Sequence, residues 1–274
     1  MGSRGGSKLY LLPLGVAIIF PLTFIITFSV AISKNHVNFF FSYISDTGAI
    51  PQESLIFAQL LNIAGVLIGL SAYVRFKQVE TFIKTEGKNS SKSSPNLGKF
   101  NKIGIIFGMI CALGSSVVGI FNEKDQIFIH VVGAWMAFGG GSVYFIFQAL
   151  ISFQMVPLFG TKALAGFRMV LGCVCLSLFL ISFMTGVMAT NNWVETGNNK
   201  IMLKWLPENG GWAYRVTSVT TEWIMAALLD IYFITLIDDF RKIRYETPKF
   251  SFITTDNRRN GAGVHMDRIG SDDV

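Results

Sequence analysis

Charged residues are scarce in this sequence. Only 15% of its 274 residues are Asp, Glu, Lys or Arg, whereas 51% are hydrophobic. A soluble domain usually carries about 25% charged residues, so a soluble protein of this length would need more charge on its surface. The composition therefore indicates a membrane protein. The net charge of +6 does not indicate a nucleic-acid partner, because a bilayer divides the charges between its two sides.

Cysteine and histidine are also rare, and these shortages exclude several kinds of site. The three cysteines, Cys111, Cys173 and Cys175, all lie in apolar runs, so disulfides in external loops do not hold the fold together. Of the three histidines only His130 lies near an apolar run, which excludes a multi-histidine metal site. The common motifs of soluble enzymes, such as a P-loop or a nucleophile elbow, are missing as well. We therefore predict no catalytic residues, no metal and no cofactor.

Long apolar runs are what the sequence does contain. A bilayer core of about 30 Å is crossed by about 20 residues of helix. Six runs meet this need, at about 9–32, 55–74, 103–121, 127–153, 169–189 and 216–237. The sixth run is the least hydrophobic, because it contains Glu222 and Asp230. The predicted fold class is an all-α membrane protein in which residues 1–245 form a bundle of six transmembrane helices.

The distribution of Lys and Arg predicts the orientation of this bundle. The two termini and the loops on their side carry 18 of these residues, whereas the opposite side carries 5. Because cytoplasmic loops are enriched in Lys and Arg, we expect both termini in the cytoplasm. Polar composition further predicts a flexible cytoplasmic linker at 84–100 and a disordered cytoplasmic tail at 246–274.

Small residues recur every four positions in the fourth run, at Gly133, Ala137 and Gly141. Membrane helices approach each other closely where such residues line their contact. Two outcomes are open: the stripe packs against another helix of the same chain, or it forms the interface of a homo-oligomer.

Three titratable residues are expected at similar depth near the external face. Asp46 lies in the first external loop, and His130 and Glu222 lie near the external ends of the fourth and sixth spans. Such a cluster can handle protons, bind a metal or hold a lipid headgroup. The alternative is three unrelated groups at a wet interface, or a purely structural network. Asp230, about two turns deeper, should face the bundle because a charge costs about 2.5–3.5 kcal/mol at mid-bilayer.

The predicted cytoplasmic side carries a second candidate site. Arg75 and Lys77 begin a basic strip that continues to Lys102. A cation near an anionic bilayer surface contributes about 1 kcal/mol of attraction, so these two residues are candidate contacts for anionic lipid. The general enrichment of cations on this side would also produce such a strip.

Several segments of the chain match the motifs of a known protein family. The most specific is the first-loop segment Tyr43–Gly48, with the sequence Tyr-Ile-Ser-Asp-Thr-Gly. The other matching segments are Pro51–Glu53, Leu61–Ala64, Tyr73–Val79, His130–Ala134, Gln154–Pro157, Glu222–Trp223 and Asp239–Ile243. Together these segments resemble the DRAM family, the DNA-damage-regulated autophagy modulators, and the resemblance runs from the first span to the sixth. It departs from the family pattern at Ser42 and Ser54, where Pro and Cys are usual.

This resemblance implies a multi-pass protein of lysosomal or related endomembranes that promotes autophagy and influences apoptosis. It brings no catalytic residues, so we expect a non-enzymatic regulator that binds membrane lipids or protein partners in autophagy. The wider superfamily includes a lipid-remodelling factor and a plasma-membrane partner of a phosphatidylinositol kinase. Two alternatives therefore stay open: a lipid-modifying enzyme or lipid carrier that uses Asp46, His130 and Glu222, and a plasma-membrane scaffold for a phosphoinositide kinase.

Overall fold

The computed structural model describes residues 8–86, 96–193 and 202–244, and within these ranges the regular structure is helical, without strands. The longer helices are α1 (Leu11–Ser33), α2 (Glu53–Glu86), α3 (Leu97–Ile120), α4 (Ile127–Ala134), α5 (Gly140–Gln154), α6 (Lys162–Asn192) and α7 (Trp212–Arg241). A π-helical turn at Trp135–Gly139 joins α4 to α5, so these two helices form one continuous rod. The predicted all-α class is confirmed.

Five helical segments of the described residues are long and apolar enough to cross a membrane. They are Lys8–Ser33, Glu53–Thr85, Leu97–Ile120, Ile127–Gln154 and Lys162–Asn192. The chain is therefore a multi-pass membrane protein. Helix α7 is not among the five, so the sixth span stays a prediction, as does the cytoplasmic location of the termini.

Most helices extend beyond the apolar runs that predict them. Helix α2 was expected at 55–74 but continues to Glu86, and α6 was expected at 169–189 but covers 162–192. The reason is that an apolar run marks the part of a helix that lipid can surround, whereas backbone hydrogen bonding continues through polar residues. The predicted linker at 84–100 is helical at both of its ends. Its centre and the tail at 246–274 lie outside the described residues.

The helices form a ring in which each packs on its neighbours. Helix α2 lies between α1 and α3, α5 lies between α3 and α6, and α7 closes the ring between α6 and α1. Aromatic residues fill the centre, where the rings of Phe145 and Tyr232 stack with their centroids 3.6 Å apart. This arrangement leaves α4 packed mainly on α3.

The small-residue stripe of the fourth span packs on α3. A Cβ atom added to Gly133 would lie 2.7 Å from Val117 Cγ1, and one added to Gly141 would lie 3.1 Å from Cys111 Sγ. The backbone nitrogen of Ala137 faces Gly114, where an added Cβ would lie 2.4 Å away. The stripe is therefore used for packing inside the chain, and a homo-oligomer formed through it stays a prediction.

Candidate functional site

The first interhelical loop folds back onto one end of the bundle and forms part of its core. Residues Asp46, Thr47 and Gly48 are buried in a short 3-10 turn. The hydroxyls of Thr27 and Thr47 lie 2.9 Å apart, and a Cβ added to Gly48 would lie 2.5 Å from Phe57 Cγ. We call this end of the bundle the acidic end, because Asp46, Glu123 and Glu222 lie there.

Asp46 is held by a buried cation that the sequence did not reveal. Its Oδ2 accepts hydrogen bonds from Arg215 Nη2 and from the Tyr43 amide, both at 2.7 Å. The Arg215 guanidinium also lies over the rings of Tyr43 and Trp205, 4.7 and 4.8 Å from their centroids. Arg215 is one of the five Lys and Arg residues on the side opposite the termini, and no local sequence pattern marks it as a partner of Asp46.

The groups around Asp46 shift its pKa in opposite directions. Burial raises the pKa of Asp46 well above 3.8, and the nearby Glu123 carboxyl raises it further, against the opposing effect of Arg215. Burial likewise raises the pKa of Tyr43 to about 12, so its hydroxyl keeps its proton and can donate a hydrogen bond.

Glu222 and His130, the other two predicted site residues, lie at the acidic end too. Glu222 Oε2 accepts a hydrogen bond of 3.1 Å from the Ile44 amide. His130 Nδ1 lies 2.7 Å from the Phe121 carbonyl oxygen, and because a carbonyl only accepts, this nitrogen is the donor. The structure thus brings Asp46, His130 and Glu222 to one end, although each is held by a different partner. A binding or proton-handling role for the three stays a prediction.

A lateral cavity of about 450 Å³ lies between α4 with its π turn and α6. Its polar lining residues are Tyr43, Ser45, Glu123, His130 and Glu222, together with Ser182, Thr190 and Asn191 of α6. Its apolar wall is lined by Ile127, Val131, Ala134, Trp135, Phe138, Phe179, Phe183, Val187 and Met225. The cavity has the size typical of small-molecule sites, about 300–1,000 Å³. An apolar wall that ends in a polar group suits an amphipathic molecule.

The lateral cavity exists because α4 and α6 diverge. Helix α6 packs along α5 and α7, whereas α4 packs on α3. At the π turn, the Trp135 ring meets the Phe183 ring edge-on with centroids 4.6 Å apart. Trp135, Val131 and Val187 line the cavity and are 48%, 37% and 43% exposed, so the cavity opens on the side of the bundle. In a bilayer this opening faces lipid chains.

A smaller inner cavity of about 50 Å³ adjoins the lateral one and shares Ser45, His130 and Glu222 with it. It reaches inward to Asp230, which therefore faces the bundle as expected. Asp230 Oδ1 is buried and has no hydrogen-bond partner among the described residues. The inner cavity thus contains an unsatisfied acceptor.

The opposite end of the bundle, which we call the arginine end, corrects the prediction for Arg75. The side chains of Arg75 and Arg168 are both 0% exposed, and both guanidiniums bond to Asp239 Oδ2, at 3.3 and 2.8 Å. Ser152 Oγ accepts from both as well, so the network joins α2, α5, α6 and α7. Arg75 is therefore enclosed by protein groups and has no exposed surface through which it could contact lipid.

Lys77 differs from Arg75 in its surroundings. Its side chain is 51% exposed and pairs with Glu80 one turn along α2, at 2.8 Å. A contact between Lys77 and anionic lipid stays a prediction. Among the described residues, no group of three or more His, Cys, Asp or Glu side chains is arranged to hold a metal ion.

Comparison with known proteins extends over nearly the whole described chain. Residues 8–243 match the family model described as the Frag1/DRAM/Sfk1/Cwh43P N-terminal domain. DNA damage-regulated autophagy modulator protein 2 of Mus musculus is 34% identical over 223 residues, which cover 81% of this chain and 79% of that protein. The Homo sapiens protein 2 is 32% identical, with 85% of this chain and 84% of that protein covered.

More distant relatives carry similar names. DNA damage-regulated autophagy modulator protein 1 of Homo sapiens is 30% identical over 80% of this chain and 86% of its own length. A Xenopus laevis relative named modulator of macroautophagy TMEM150B-B is 30% identical over 62% of this chain and 71% of its own length. No solved structure matches this chain.

Proposed function

Because this chain belongs to the Frag1/DRAM/Sfk1/Cwh43P family, we propose that it regulates autophagy by binding a membrane lipid in the lateral cavity between α4 and α6. Relatives that align with about 80% of this chain are named autophagy modulators. We place the protein in the lysosomal or a related endomembrane, where it promotes autophagy and influences apoptosis.

The lateral cavity is the observation that supports lipid binding. It opens on the side of the bundle through Trp135, Val131 and Val187, so a lipid enters from the bilayer without crossing water. Its wall is apolar, and its polar end lies next to the family-like first loop. Burial of an acyl chain along the wall is worth about 0.8 kcal/mol for each methylene when the chain comes from water. A chain that comes from the bilayer is already in an apolar environment and does not gain this free energy. Affinity over bulk lipid therefore depends on the polar end.

The same geometry favours binding over catalysis. The Asp46 carboxylate is taken by Arg215 and the Tyr43 amide, and Glu222 is held by the Ile44 amide. These contacts fix the first loop on the bundle, which is a positioning role. The relatives' names likewise describe modulators and no chemical reaction.

Two neighbouring valines allow a matched test of the proposal. Val131 lines the lateral cavity, whereas Val132 is 43% exposed and lies outside the residues that line it. We expect Val131→Trp to fill the cavity and Val132→Trp to leave it open. In cells that lack the protein, autophagic flux should be restored by the wild type and by Val132→Trp, but not by Val131→Trp at equal protein level.

Two results would contradict the proposal. Normal flux in cells without the protein would exclude a role in autophagy, and full rescue by Val131→Trp would exclude the lateral cavity. Imaging of a tagged copy tests the location, since plasma-membrane staining without endomembrane staining would favour the lipid-kinase scaffold instead.

A further inference from the structure

The polar end of the lateral cavity is rich in hydrogen-bond acceptors and contains two acidic side chains. Glu123 and Glu222 line it together with Ser45 and Tyr43, and its described lining contains neither Lys nor Arg. Glu123 Oε2 accepts from the Ser45 hydroxyl at 2.7 Å, and Glu222 accepts from the Ile44 amide. Across the described residues, neither glutamate lies within ion-pair distance of a Lys or Arg.

The cation at this end is already engaged. Arg215 bonds to Asp46 at 2.7 Å and is enclosed by the rings of Tyr43 and Trp205. Its side chain is only 3% exposed, and among the described residues its ion pair is with Asp46 and not with either cavity-facing glutamate. Asp46 thus has a cationic partner, whereas no Lys or Arg of the described residues lies within ion-pair distance of Glu123 or Glu222.

Asp230 provides an independent observation in the adjoining inner cavity. Its buried Oδ1 has no partner within the described part of the chain. A buried acceptor without a donor is costly, and the walls around it are largely apolar, including Phe20, Leu61 and Phe233. The inner cavity therefore also favours a ligand that supplies hydrogen-bond donors.

We propose that the lateral cavity binds a long-chain amine: an amphiphile with one apolar chain and a protonated amino headgroup that bonds to Glu123 and Glu222. The chain would lie along the apolar wall between α4 and α6 and leave through the opening beside Trp135. An ammonium group supplies three donors and a positive charge, which match the acceptors and the two acidic side chains at this end. A fatty acid or an anionic phospholipid would instead place like charges together. This inference rests on the proposed function, which requires only that the cavity binds lipid.

The test uses purified full-length protein in phosphatidylcholine nanodiscs at neutral pH. Three photoreactive probes share one long alkyl chain and end in a primary amine, an alcohol or a carboxylate. We expect the amine to label the wild type at least about tenfold more than the carboxylate, a preference equal to about 1.4 kcal/mol. Unlabelled amine should compete for the amine probe, and unlabelled carboxylate should not.

Variants locate the preference at the glutamates. Glu222→Gln and Glu123→Gln keep an oxygen that accepts from Ile44 and Ser45, but remove the charge, so each should lower amine labelling about tenfold. Labelling by the alcohol should stay at the wild-type level, which shows that the cavity persists. Asp125→Asn is the matched control, because Asp125 is an exposed acid two residues from Glu123 that pairs with Asn122.

Each result decides between the two proposals. If Val131→Trp reduces labelling by all three probes but the wild type shows no preference for the amine, the cavity binds lipid and the present inference is wrong. If Val131→Trp changes none of them, lipid binding in the cavity itself is refuted. The wild-type preference needs no variant, so a glutamate substitution that unfolds the protein leaves the test decisive.

Discussion

Replacing Asp239 with Ala would leave two buried guanidinium groups facing each other without their shared carboxylate. Asp239 Oδ2 lies 3.3 Å from Arg75 Nη1 and 2.8 Å from Arg168 Nη1. At an effective dielectric constant of about 20, these pairs attract by about 5 and about 6 kcal/mol. Desolvation and repulsion between the two cations offset most of that attraction. Removal of one partner from a buried pair usually costs about 3–5 kcal/mol, and we expect Asp239→Ala to lower the free energy of unfolding by this amount.

The preceding residue supplies a matched control. Asp238 is 76% exposed and pairs with Arg241, whose side chain is 60% exposed. Because water screens this pair, Asp238→Ala should change the free energy of unfolding by no more than about 0.5 kcal/mol. Both variants would be purified at full length in the same detergent, and their unfolding followed by helical circular dichroism against denaturant.

The charge of Asp239 can be tested separately from its hydrogen bonds. Asp239→Asn keeps an oxygen acceptor and nearly the same volume, so it should still lose most of the stability lost in Asp239→Ala. Equal unfolding free energies for the Asp238 and Asp239 variants would refute the arginine-end network. Full stability of Asp239→Asn would show that hydrogen bonding, and not charge, holds it together.

Two further predictions concern the acidic end and the helix packing. Burial and the Glu123 carboxyl raise the pKa of Asp46 above 3.8, so the folded chain binds more protons than the unfolded chain above that pH, and stability should fall as pH rises. The melting temperature should therefore be higher at about pH 5 than at about pH 7.5, and Asp46→Asn should reduce this difference. An unchanged difference in the variant would show that Asp46 is not the group responsible. An Ala Cβ at Gly114 would lie 2.4 Å from Ala137 N, whereas Gly166 faces open space. Gly114→Ala should cost about 1–3 kcal/mol and Gly166→Ala should be neutral or stabilising by up to about 1 kcal/mol, as measured by thermal unfolding; equal effects would exclude close packing at Gly114.

The helices were predictable because lipid imposes a strict local rule. A chain that crosses a bilayer must satisfy its backbone hydrogen bonds within each helix and present apolar side chains to lipid. The run at 127–153 thus predicts the helical rod Ile127–Gln154 to within one residue. The ends of the helices were predicted less accurately, and α2, for example, continues to Glu86. The reason is that polar residues can extend a helix without adding to the apolar run that predicts it.

The candidate site was predictable only in part. The sequence predicted that His130, Glu222 and the first-loop Asp46 lie at one end of the bundle, because each is near the boundary of an apolar run on the same side. Depth says nothing about which way a side chain points. Arg75 was therefore expected at the lipid surface, although its guanidinium is buried against Asp239.

The sequence by itself determined the membrane class, the positions of the helices and the family motif of the first loop, since each depends on residues close together in the chain. Only the tertiary structure decided that Arg215 pairs with Asp46, 169 residues away. It alone also decided that α4 and α6 diverge to leave the lateral cavity. The physical reason is that hydropathy acts locally along the chain, whereas ion pairs and cavities depend on how distant helices pack.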